Sequence, residues 1–223
     1  MPTAKERLSH LLALAGEGSQ RTALAGELAD LLLDWPSDCP EAMRAPVVAL
    51  LEKTVRETDD ETRARLAARL GGHSELPLDL VNEFYLAAPA RVRREILMRN
   101  ELAGGDAGDI AAPDAATLLV AARSAMNGQF AERFGACVGI APQTVQAILA
   151  DRTAEALAVL CKGAHLDRAM FSALTLLKGA QGDDTQARLA AFDTVPQHAA
   201  ERLTCYWQIH HASHNHTEAA AAE

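Results

Sequence analysis

A thirty-residue period runs through the middle of this chain. Arg63, Arg93 and Arg123 stand thirty residues apart, as do Leu66, Ile96 and Met126, and again Leu80, Ile110 and Ile140. A period of this size holds a pair of short helices, and one such pair cannot bury its apolar faces alone. Copies therefore stack, sharing a core that runs from each to the next. The spacing predicts an all-α protein with a short right-handed stack of helical hairpins over 59–150. A longer N-terminal helical segment (1–58) and a C-terminal helical cap (151–210) flank it, and a disordered tail (211–223) follows.

Within the first two copies the pattern is arginine, three on an apolar residue, three on another arginine: Arg63, Leu66, Arg69, then Arg93, Ile96, Arg99. Spacings of three place these side chains on neighbouring turns of one helix face. Arg63, Arg93 and Arg123 are expected to form a structural ladder, the first two at least meeting either a carboxylate, with Asp59, Asp60 and Asp79 near helix starts as candidates because guanidinium meets carboxylate in a planar fork, or a helix-end carbonyl. Arg91, Arg94 and Arg99 are the possible partner-binding set, with Arg91 on the exposed face.

Composition points the same way. Hydrophobic residues make up 49% of the 223 and aromatics only 4%, so the apolar mass is mostly Ala and Leu, both strong helix formers. Helix signals recur along the chain. Thr3 with Glu6 forms a capping box before Leu8, Leu11 and Leu12. The stripe Leu24, Leu28, Leu31, Leu32 ends at Trp35-Pro36, and Asp38 with Glu41 is expected to cap the next helix, with Pro46 forcing a kink or a late start. Short elements and tight breaks follow from residue 59. Gly163 stops one later helix, Asp167 caps another, and Pro196 opens the last.

The stretches Asp59–Leu70 and Leu76–Val81, with Val92–Asn100 and Ala156–Lys162 through Phe171, resemble an uncharacterised alphaproteobacterial domain family of HEAT-like helical proteins. The resemblance covers roughly residues 45 to 180 and implies a HEAT-like, bacterial repeat fold. It brings no activity and no catalytic residues.

Chemistry-bearing groups are sparse. His210, His211, His214 and His216 are weak candidate metal ligands, since His210 and His214 share a helix face one turn apart, but no Cys or carboxylate nearby completes a tetrahedral set. A solvated helix end, dispensable for folding, is expected there. Gly139 to Leu149 has the flavour of a helix-turn-helix, yet Arg152 is its only nearby base, so a repeat helix starting at Pro142 is the expectation. Signatures of P-loops, Rossmann turns, nucleophile elbows and zincins are missing, and Gly104 to Asp109 reads as a loop between repeats.

A net charge of -9 repels phosphate and disfavours nucleic acid. No run of apolar residues is long enough for a membrane span or a signal peptide. Four scattered cysteines, Cys39, Cys137, Cys161 and Cys205, suit reduced thiols. The expectation is a cytoplasmic, non-enzymatic adaptor without cofactor that binds another protein. The alternatives are a nucleic-acid-associated regulator and a metal-responsive protein using the C-terminal histidines.

Overall fold

The computed structural model describes residues 20–104, 113, 115–123, 129–177 and 184–211, apart from the side chains of residues 115, 119, 121 and 123. Every regular element among them is helical. No helix among the described residues is long and apolar enough to cross a membrane.

Helix α1 (Arg21–Leu33) buries the stripe Leu24, Leu28, Leu31 and Leu32 and ends before Trp35-Pro36. One 3-10 turn, Glu41–Met43, precedes α2 (Arg44–Arg56). Asp38 and Glu41 do not cap this helix as expected. Its N-cap is Met43, which makes no side-chain bond, and Glu41 instead pairs with Arg44 at 3.4 Å. Pro46 produces the late start: as the third residue of α2 it lacks an N–H where none has an intrahelical acceptor.

Helices α3 (Asp60–Leu70), α4 (Leu78–Glu83) and α5 (Ala90–Leu102) follow. Asp59 caps α3, accepting from the Thr62 amide at 2.7 Å and its hydroxyl at 2.9 Å, and these bonds hold its carboxyl below the usual range. Contacts divide the chain into two compact units, Met1–Ile96 and Leu97–Glu223, the division falling within α5. In the first, α1 packs on α2 and α3, and α2 on α4. Leu28, Leu51, Leu70, Leu80, Phe84 and Tyr85 are fully buried there.

The second unit contains α6 (Ala115–Arg123), α7 (Phe130–Val138), α8 (Pro142–Ala150), α9 (Glu155–Gly163), α10 (Arg168–Leu177), α11 (Thr185–Thr194) and α12 (Gln197–His210). Its interior is α9, apolar on all sides: Ala156 through Cys161 are each fully buried. A helix hydrophobic all round has to be surrounded, and α8, α10, α11 and α12 all contact it. The α12 contact is the closest, because Gly163 has no Cβ: one placed there would meet the Ala200 carbonyl oxygen at 2.5 Å and the Thr204 Cβ at 2.6 Å. Asp151 organises the start of α9, accepting from the Thr153 and Ala156 amides at 3.2 and 3.0 Å. Asp167 caps α10 through the Met170 amide at 2.8 Å.

Candidate interaction surface

Arg63 and Arg93 take the same place in their helices, the fourth residue of α3 and of α5. Both donate to backbone carbonyls before their helix, and one acceptor of each corresponds in register. Arg63 Nη2 donates to the carbonyls of Thr58 and Arg56 at 3.0 and 3.4 Å. Arg93 donates from Nε to Tyr85 O at 3.1 Å and from Nη2 to Leu86 O at 2.9 Å, with its guanidinium 5.5 Å over the Tyr85 ring. Arg56 and Leu86 are each seven residues before their arginine.

Of the two kinds of partner expected, carboxylate or helix-end carbonyl, the close ones are carbonyls. Carbonyls that end a helical turn have no intrahelical donor, and a guanidinium reaching back from the next helix supplies one. Arg63 does meet Asp60, but at 3.5 Å with that carboxylate fully exposed. Arg123 ends α6 instead of lying four residues in, and its side chain lies outside the described residues.

Burial follows the same register. Thr62, Leu66, Ala67 and Leu70 are buried in α3, and Val92, Ile96, Leu97 and Asn100, thirty residues on, are buried in α5. The opposite side of α5 is open. Arg91 is exposed and pairs with Glu95 one turn on at 2.9 Å, and Arg94 is exposed too. Further along the same face, Met98 is 51% and Leu102 78% accessible. Arg99 departs from this set: it is half-buried, and burial pulls its guanidinium below the usual range.

One ion pair was invisible to helix spacing. Arg56 Nε bonds Glu83 Oε2 at 3.1 Å, and the Glu83 side chain is only 3% exposed. Beside them Glu52 is pushed up, chiefly by burial and also by Asp79 and Glu83, against a lowering by Arg56.

The histidine segment is partly docked. His210 stacks on Tyr206 with centroids 4.5 Å apart. The His211 carbonyl accepts the Ala141 amide at 2.6 Å, and its Nδ1 lies 3.0 Å from Thr144 Oγ1. His210 and His211 thus make contacts with Tyr206, Ala141 and Thr144, where a solvated end was expected. His214 and His216 lie outside the described residues, and no group of three metal-ligating side chains occurs among the described ones.

A tight turn joins α7 and α8. Gly139 adopts φ 73°, Gly135 lies under the Ile140 carbonyl where a Cβ would collide, and Val145 and Ile148 are fully buried. As expected, α8 opens at Pro142. Helix α12 closes on both sides of the turn: Gln208 Nε2 donates to Val138 O at 2.7 Å, and His211 takes the start of α8. Exposed on α8 are Gln143, Gln146, Ala147 and Ala150, with Arg152 just beyond.

Comparison with protein-family models, with curated proteins and with solved structures returns no match.

Proposed function

We propose that this chain is a non-enzymatic, cytoplasmic adaptor built on HEAT-like repeats, and that it works by binding another protein. The repeat reading is supported by the matched burial register of α3 and α5 and by their two arginines reaching back over equivalent carbonyls. Kinship with the alphaproteobacterial HEAT-like family is part of the same proposal.

The binding reading is carried by the outward face of α5, where Met98 and Leu102 stay exposed on a helix whose other face is fully used. Apolar side chains flanked by arginines are the composition of an interface core and its rim. The test is site-specific photo-crosslinking in the native host, with the probe at position 94 or 98. A discrete adduct at both, lost on Arg91→Glu/Arg94→Glu, is expected. Equal labelling from a probe on the α2 surface at Lys53 overturns it.

The turn between α7 and α8 favours a second reading, nucleic-acid association. Against it, no Lys or Arg lies on the exposed face of α8, and the start of that helix, which reads base edges in such motifs, is held by His211. Fluorescence anisotropy with a duplex at low and physiological salt separates the readings, because phosphate contacts give a steep salt dependence.

A further inference from the structure

Helices α6 and α7 pack side by side, and along their junction runs an open cleft of about 460 Å³ lined by Ala116, Thr117, Val120, Arg133 and Ala136. Of these five described lining residues, four carry no charge and three are apolar. The small side chains leave both helix backbones close to the surface, so that a third helix can approach them. Val120 rises from the rim 62% exposed, and α10, which packs on α6, ends with Leu176 and Leu177 more than half exposed. Uncovered apolar side chains at this density mark a docking site.

Arg133 settles what kind of occupant the cleft fits. The one hydrogen bond of its guanidinium among the described residues is a long one, 3.4 Å, from Nη2 to Gln129 Oε1. Arg168, a surface arginine of the same unit, shows what a guanidinium takes when a carboxylate is in reach: it holds Asp193 through two bonds at 2.7 and 3.0 Å. Arg133 lines a mostly apolar cleft and, among the described residues, its guanidinium bonds only the Gln129 amide, in a chain of net charge -9. Its complement is a carboxylate delivered together with apolar surface.

We propose that the α6–α7 cleft receives an amphipathic helix of a partner protein, whose small apolar ridge lies in the cleft and whose Glu or Asp at the edge of that ridge meets Arg133 in the bidentate geometry arginine favours. The cleft shares no residue with the outward face of α5, and this proposal stands or falls independently of that one.

The test uses the full chain and a displayed library of sixteen-residue helical peptides with an Ala/Leu ridge, in which one ridge-edge position is randomised among Glu, Gln and Lys. Wild type is expected to enrich Glu at least about tenfold over Lys, a factor worth roughly 1.4 kcal/mol. Arg133→Glu is expected to invert the preference. Val120→Asp, with its helix content verified by circular dichroism, should remove binding altogether, and Arg91→Glu should leave the Glu preference unchanged. Absence of any enriched peptide overturns the proposal. So does enrichment indifferent to residue 133, or binding that Arg91→Glu abolishes while Val120→Asp does not.

Discussion

At the scale of single residues, what matters is which polar groups are withdrawn from water and who meets them. Arg93 supplies two carbonyls at the end of a helical turn while Arg91 holds only an exposed pair with Glu95. Arg93→Ala is expected to cost about 1.5 to 3 kcal/mol, the range for hydrogen bonds to a charged group, and Arg91→Ala less than about 0.5 kcal/mol, both read from urea denaturation. Arg63→Ala should resemble Arg93→Ala; if it behaves like Arg91→Ala, the two arginines are not equivalent. Glu52 gives a pH-dependent prediction. Its folded pKa lies above the ordinary value of 4.5, so the neutral acid is favoured in the folded state. The stability it contributes is complete below that ordinary value and is lost as pH rises through the folded pKa. Glu52→Gln should therefore raise Tm at pH 7 and leave it unchanged at about pH 4. Asp59 has the opposite sign. Its pKa is lowered, so its contribution is present at neutral pH and is lost as pH falls through the lowered value, and Asp59→Asn should flatten the acid limb of the stability curve.

At the scale of elements, features encoded within a few residues were legible in the sequence. Pro142 and Asp167 start helices, Gly163 ends one, and the thirty-residue register places Arg63 and Arg93 alike. What was not legible depends on partners far along the chain. Arg56 meets Glu83 27 residues away, and His211 meets Thr144 67 residues away. No period or cap rule couples such positions, since packing brings them together. The docking of His211 gives a physical reason to test the expectation that everything from His210 onward can be removed. Truncation after His211 is expected to leave Tm close to that of the full chain. Truncation after Ile209 removes the bonds to Ala141 and Thr144 and the stack on Tyr206, and should cost about 1 to 2 kcal/mol. Equal melting of the two truncations would show that these contacts carry no stability. Gly163→Ala tests the α9–α12 approach. Because the added methyl meets the backbone oxygen of Ala200, the helices have to separate, at about 1 to 3 kcal/mol. Gly26, with open space around its Cα, serves as the control: Gly26→Ala in α1 should stabilise slightly.

At the scale of the molecule, four cysteines report how its interior opens. Cys39, Cys137 and Cys205 are partly accessible, whereas Cys161 lies fully buried at the centre of the second unit, where burial pushes its thiol far above the ordinary range. The thiolate is the reactive form, so Cys161 is silenced twice, by access and by ionisation. Under non-reducing mass spectrometry the chain should carry four free thiols, and a maleimide at neutral pH should modify three of them quickly. The fourth has to wait for α9 to be uncovered. That helix is enclosed by α8, α10, α11 and α12, and no local fraying exposes its middle. Labelling of Cys161 should therefore track cooperative opening of the unit, its logarithm rising linearly with urea. Leu203→Ala, which empties a fully buried site on α12, should cost about 2 to 5 kcal/mol and accelerate Cys161 labelling by at least about thirtyfold, with Cys39 unaffected. If Cys161 reacts as fast as Cys205 in the absence of denaturant, α9 is not the interior of the second unit. A rate independent of urea would instead mean that α12 lifts off by itself, and the unit would then be two weakly coupled layers with α9 as the inner face of one.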